Sequence, residues 1–476
     1  MNDRRKDYSD WAGQYILAAD PVVVPGWEGR RIAGRYLVSH PSLPVVPVVA
    51  KHGQEVGTIL GWPVSPGGEL VKCMNLNGSF DGLGSVYEHG GRWLLVMEEE
   101  LYLDPSGSQP AVYAPDLGIV ASSPGLIDAE DDAELVDAFD VVNRDGWYPF
   151  GLTPKRGVHR LLPNHKLDLN TFIATRHHEA PAPGSVAVEE AASVALEAID
   201  AAGSAFADTG LFVGLTAGQD SRMLLAGLRD HLDNTQFWTA RSVARTNPID
   251  VQIARTLANR FELNHVVVAQ VPTTEADIED WLDRVGWTRA GDKAKNHKME
   301  EATGGNRPFG HGAIGGLARG TYWREGDLAD EPLTPEEAMR RISAPRASAT
   351  AQAAKSWLDG LASSDRLRVL DLLLLEQRVG CWASPGNLGS SREAPTIFLL
   401  NRRDVVDAML ALSHADKRAG LYTTAVIRQG WPELLSLPFN QPMGGLAVKV
   451  RARRLADMAR FQLGRLRRRL LSLGSR

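Results

Sequence analysis

The sequence predicts a two-part fold: an antiparallel β-sandwich followed by a parallel α/β sheet with a helical C-terminal part. Three observations predict it. Short apolar runs separated by turn signals fill the first 180 residues, a Pro/Gly-rich break follows, and beyond the break apolar strands alternate with segments of helical period. The length of 476 residues agrees, since roughly 150 residues per domain allows two or three domains with a core in each.

The runs of the first part are VVPVVA at 45–50, RWLLVM at 92–97 after a turn expected at Gly90-Gly91, LYLDPSG at 101–107, AVYAPD at 111–116 and GIVASS at 118–123. Such spacing reads as antiparallel strands joined by short connections. The break is Glu179-Ala180-Pro181-Ala182-Pro183-Gly184-Ser185. Its two prolines and glycine end either kind of periodic structure. This places a linker at 179–185 between a first domain, 1–178, and a second, 186–448. In the second, Val188, Ala192, Leu196 and Ile199 recur at helical spacing within 186–207. A buried strand is then expected at 211–215, a helix at 220–231, a strand at 235–239, a helix at 248–261 and a strand at 265–269. Strands and helices of these lengths imply a parallel sheet with crossover helices, whose ligands bind beyond the carboxyl ends of the strands.

Hydrophobic residues make up 43% of the chain and charged residues 23%, which excludes a disordered or fibrous class. Cys73 and Cys381 are the two cysteines, and two thiols so far apart read as free in a reducing compartment. The N-terminus lacks an apolar signal run, and no stretch is long and apolar enough to span a bilayer, so a cytoplasmic protein is expected. Net charge is −6, but residues 449–476 hold ten Lys/Arg against Asp457, or +9, which leaves −15 on the rest. That balance argues against nucleic acid as a partner. In the tail, Leu455, Met458, Leu463, Leu466 and Leu470 form an apolar stripe among arginines. Weak contact of this basic amphipathic tail with an anionic membrane surface is left open beside simple packing on the domain.

The stretch that carries chemistry is LFVGLTAGQDSRMLLAGL at 211–228. A buried strand ends at Leu215, a loop of small residues turns the chain, and a helix begins near Asp220-Ser221. Small residues let backbone N–H groups approach a polyanion, and a helix N-terminus favours negative charge. The loop is neither a Walker A sequence nor a G-x-G-x-x-G fingerprint.

It resembles the pyrophosphate loop S-G-G-x-D-S of the ATP pyrophosphatases, in particular the synthetase domain of the asparagine synthetase family. Thr216 stands for the first serine and Ala217 for the first glycine, while Gly218, Asp220 and Ser221 match. Further landmarks follow in order. Asp250 to Ala258 with Asn264-His265 resembles the family's D-x-x-x-A-x-x-L-A helix and strand entry, and Gly310 to Trp323 stands where the family has a second glycine-rich loop. Leu375 to Arg378, Glu393 to Leu399 and Pro432 to Asn440 resemble its helical C-terminal portion. Asp104 to Tyr113, Ala121-Ser122-Ser123, Gly151-Leu152-Thr153 and Gly157 to Pro163 resemble its glutamine amidotransferase domain, a sandwich of two antiparallel sheets between helices of the N-terminal-nucleophile type.

The resemblance implies ATP on Leu215, Thr216, Ala217, Gly218, Gln219, Asp220 and Ser221, the adenine near Leu215, Thr239 and Gly312, and Mg2+ on Asp220. It departs at two places. Asn2, not cysteine, follows the initiator Met, so no glutaminase activity is expected. The acids of the second loop are replaced by Ala313, Gly315, Gly316 and Leu317, and the lysine expected after the P-F-N-like segment is missing. Glu376, Glu393 and Lys449 are the candidates to supply catalytic charge in their place. The implied activity is an ATP-dependent, AMP-forming amide ligase acting on a small-molecule or peptide carboxylate and an amine. A non-catalytic nucleotide- or partner-binding relative and a lasso-peptide or β-lactam type cyclase stay open, as does a homodimer.

Overall fold

The computed structural model describes residues 8–50, 53–76, 83–241, 247–291, 294–390 and 393–448. Asn2, Lys449 and the basic tail lie outside the described residues. The first part is two antiparallel sheets. One runs in the order His159–Arg160, Val112–Ala114, Ile119–Ala121, Tyr15–Ala18, Arg35–Ser39, Glu28–Ile32. The other runs Ala174–Arg176, His165–Asp168, Glu100–Leu103, Gly90–Met97, Glu55–Val64, Val45–Val49, Met74–Asn75, its last pair parallel.

Side-chain alternation decides what each face buries. Leu17 and Leu37 of the first sheet share a core with Leu60, Leu94 and Val96 of the second, while Ile16 and Val38 face away on one side and Ile59, Trp93 and Leu95 on the other. The sandwich is therefore as expected. The flanking helices are not, because the described residues of this part form two short α-helices, Leu83–Tyr87 and Ala133–Phe139. The expected turn at Gly90-Gly91 is also corrected: both residues belong to a strand, opposite Val64 and Pro63. Gly91 has φ +90°, and a Cβ there would stand 2.1 Å from the Trp62 carbonyl oxygen. Glycine serves close strand approach at this point, not chain reversal.

Beyond residues 179–185, which form no regular element, helix Val188–Ala205 leads into a five-stranded parallel sheet. Its order is His265–Ala269, Thr235–Arg241, Leu211–Gly214, Phe309–His311, Thr396–Phe398. The expected helix at 220–231 is shorter, Gln219–Gly227, and a 3-10 segment, Arg229–Asn234, completes it. A Cβ on Gly227 would lie 2.7 Å from Ile199, so glycine at this point lets the helix pack closely on the preceding one. Helices from Pro335 to Gly430 close the fold, among them an 11-residue π-helix, Leu373–Ala383. The two parts share one core, in which Tyr15, Leu60 and Leu94 join Val213, Leu370 and Leu399. Among the described residues, no helix is long and apolar enough to cross a membrane.

Candidate functional site

The order of the parallel sheet sets the location of the site. The chain builds outward from Leu211–Gly214 to Thr235–Arg241 and His265–Ala269, then crosses back to place Phe309–His311 on the other side of the first strand. Loops leaving Leu211–Gly214 and Phe309–His311 diverge at this reversal and leave a crevice between them. A cavity of about 700 Å³ opens there. Thr216, Asp220 and Ser221 line it from the first loop, His311, Gly312 and Arg319 from the second, Arg378 and Trp382 from the π-helix, and Asp145 and Trp147 from the antiparallel part.

The first loop is held by its own side chains and by Asp250 of helix Asn247–Phe261. The Thr216 N–H donates to Ser221 Oγ at 3.1 Å, the Gly218 N–H donates to Thr216 Oγ1 at 3.1 Å, and the Ala217 N–H donates to Asp250 Oδ1 at 3.1 Å. These three donors, expected to face a polyanion, fix the loop instead. Helix Gln219–Gly227 follows with Gly218 at its N-cap and no side-chain cap, so its first N–H groups are the ones left for an anion in the cavity. Burial raises the Asp250 pKa, against which the bond from Ala217 acts.

The remaining expected residues separate into two groups. Thr216, Asp220, Ser221 and Gly312 come together on the cavity wall. Leu215 and Ala217 are fully buried and shape the loop from beneath. Gly218 sits at the helix start, and Gln219 accepts a long 3.5 Å bond from Arg319. Thr239 is buried; its hydroxyl donates to the Leu215 carbonyl at 2.6 Å and meets His265 Nε2 at 2.8 Å, which braces two strands rather than lining this cavity.

Glu376 stands outside the cavity. It is fully buried, and its carboxylate accepts two bonds from Arg176, at 2.6 and 2.8 Å, and others from Asn164 and Trp357. Burial pushes its pKa up, but the Arg176 guanidinium outweighs this and holds it below the usual carboxylate range. Every polar neighbour is structural. Glu393 is exposed, outside the cavity lining.

Sequence reasoning passed over the basic groups of the cavity. Arg319 grips Asp220 with two bonds, Nη1 to Oδ1 at 2.5 Å and Nη2 to Oδ2 at 2.9 Å. Arg378 lies over the Trp382 ring with its guanidinium carbon 3.5 Å from the centroid, and 5.9 Å from that of Trp147. Desolvation lowers the Arg378 pKa, while Tyr322 and Asp145 act to raise it. His311 opens on the cavity with protein around its ring; desolvation lowers its pKa although Asp220 favours the charged form. Arg319 stands within the second glycine-rich segment, and that position was its one signal in the sequence.

The residues do not fit Mg2+ at Asp220. The Arg319 guanidinium already sets a positive charge on both carboxylate oxygens, and the second loop supplies Ala313, Gly315, Gly316 and Leu317, none with a side-chain oxygen to share a cation. Among the described residues, no three His, Cys, Asp or Glu side chains converge as a metal site. A second recess of about 950 Å³ lies by Tyr87, His177, His178, Arg403 and Asp407. Two of its charged pairs are closed, His178 with Asp407 and Arg402 with Asp404, while Arg403 donates Nη1 to Asn164 and keeps Nε and Nη2 buried without a hydrogen-bond partner.

No protein-family model and no curated protein matches the chain. A solved structure of glutamine-dependent NAD+ synthetase from Acinetobacter baumannii, in complex with adenosine diphosphate, is similar to it at 15% identity and a TM-score of 0.18. The similarity covers 33% of this chain and 30% of that one. A likeness of that extent assigns no activity to this chain.

Proposed function

We propose that the chain is an ATP-dependent, AMP-forming ligase that joins a carboxylate to an amine. The observation that carries this reading is the cavity at the sheet's reversal point, where the 216–221 loop and the 310–320 loop meet. A carboxylate oxygen attacks the α-phosphate and pyrophosphate leaves; the amine then attacks the acyl carbon and AMP leaves. Carboxylate oxygen is a poor leaving group, and adenylation replaces it with a good one. The uncapped start of helix Gln219–Gly227 and the Arg319 guanidinium face the phosphates. Trp147 and Trp382 keep water from the mixed anhydride. His311 faces the cavity, its pKa lowered by desolvation, and accepts a proton from the attacking amine. The amine is ammonia, a second substrate, or a group on the same molecule, as a cyclase would use.

A non-catalytic nucleotide-binding role is the second reading, favoured by the second loop's lack of carboxylates. Calorimetric titration with ATP and a pyrophosphate-release screen over carboxylic acids separate the two. Gly218→Asp puts a negative charge at the helix start without backbone strain, since Gly218 has φ −77°. ATP binding by the wild type, weakened about tenfold or more in this variant, is expected. Equal binding by both proteins places the nucleotide elsewhere and ends the reading. Binding without pyrophosphate release from any acid favours the non-catalytic role.

A further inference from the structure

The Asp220–Arg319 pair sits where the nucleotide's phosphates are expected, and its chemistry differs from that of a carboxylate poised for a metal. Arg319 has five N–H donors, of which the described contacts use two on Asp220 and one weakly on Gln219. Arg319 lines the same cavity as Thr216 and Ser221. Its side chain is 25% exposed and that of Asp220 41%, so the pair is accessible from the cavity. Backbone of the second loop crowds Asp220. A Cβ on Gly315 would lie 2.8 Å from Asp220 Oδ1, and one on Gly312 would lie 3.5 Å from Asp220 Cβ. The second loop thus packs bare backbone against the carboxylate, where a side chain able to share a metal would have no room.

We propose that Arg319, anchored by Asp220, is the cation that meets the triphosphate of the nucleotide, and that the site binds ATP without a divalent metal at Asp220. The inference rests on the nucleotide-binding reading above. A guanidinium suits this position because it is always charged and presents paired donors to phosphate oxygens. Asp220 then orients Arg319 rather than ligating an ion. Glycine at 315 leaves the room that the Asp220 carboxylate occupies, since a Cβ there would lie 2.8 Å from Oδ1.

Calorimetric titration of the full chain with ATP, in excess EDTA and again in excess Mg2+, tests this. The wild type is expected to bind in EDTA with an affinity within a few-fold of that in Mg2+. Arg319→Ala is expected to weaken binding about tenfold or more in both buffers, the loss of a charge-assisted contact. Arg319→Lys keeps the charge and loses the fork, so it recovers part of the affinity and shows that the alanine effect is not misfolding. Binding by the wild type in Mg2+ alone, with Arg319→Ala binding as well or better, overturns the proposal while leaving the nucleotide reading intact. Binding in neither buffer overturns both.

Discussion

A buried carboxylate among buried partners behaves differently from one at a cavity wall, and Glu376 and Asp220 show the contrast. Glu376 is fully buried and satisfied by Arg176, Asn164 and Trp357. Removing its charge leaves the Arg176 guanidinium with Glu179, at 3.9 Å, as its remaining ionic partner, which costs about 3 kcal/mol. Glu376→Gln is therefore expected to lower the urea midpoint of unfolding markedly while leaving ATP affinity near that of the wild type. A stable variant that fails to bind or turn over ATP would instead restore Glu376 to the active site. The sequence showed an acid two residues before Arg378 in a segment resembling the family's helical C-terminal portion, but its partner Arg176 is 200 residues away and no spacing rule connects the two.

At the scale of elements, the wall behind the cavity is tied together by one acid. Asp327 accepts from Arg341 at 2.7 and 2.6 Å and from Arg366 at 3.3 Å, linking its loop to helices Pro335–Arg341 and Arg366–Leu372. Glu337 joins the same two arginines. Arg341 also lines the cavity, so this network fixes part of the site. The Arg341 hydrogen bonds, set against burial, hold the Asp327 carboxyl well below its ordinary 3.8. The folded state thus binds fewer protons than the unfolded one below about pH 5. The stabilisation is present above the unfolded value and is lost as pH falls through the folded one. Asp327→Asn is expected to flatten the acid limb of a stability-versus-pH curve between about pH 5 and 3, measured by urea unfolding. An unchanged acid limb would deny the network that role. Strands and helices of the parallel sheet were legible because period and length distinguish them. The π-helix and the arginine network were not, since both depend on contacts between distant segments.

Across the whole molecule, the sequence suggests two domains and the packing binds them into one body. Residues 179–185 have the composition of a linker, and they do join the antiparallel and parallel parts. Composition cannot show what crosses beside the linker. Asp104 is a fully buried hub that accepts from Ser106, Ser108, Gln109 and the Trp93 N–H, and from Asn401 of the second part at 2.8 Å. Glu376 reaches Arg176 from the other direction, and one apolar core runs through both parts. The candidate cavity itself takes Asp145 and Trp147 from the antiparallel part, so that part completes the wall even if it performs no chemistry of its own. Since the largest apolar core runs through both parts, calorimetric unfolding is expected to show a single cooperative transition, with van't Hoff and calorimetric enthalpies in agreement. Asn401→Ala, which leaves the Asp104 carboxylate short of a buried donor, is expected to lower that one transition as a whole. Two separate transitions, with only the later or earlier one moved by the substitution, would mean that the parts fold independently and that the shared core contributes little to holding the site.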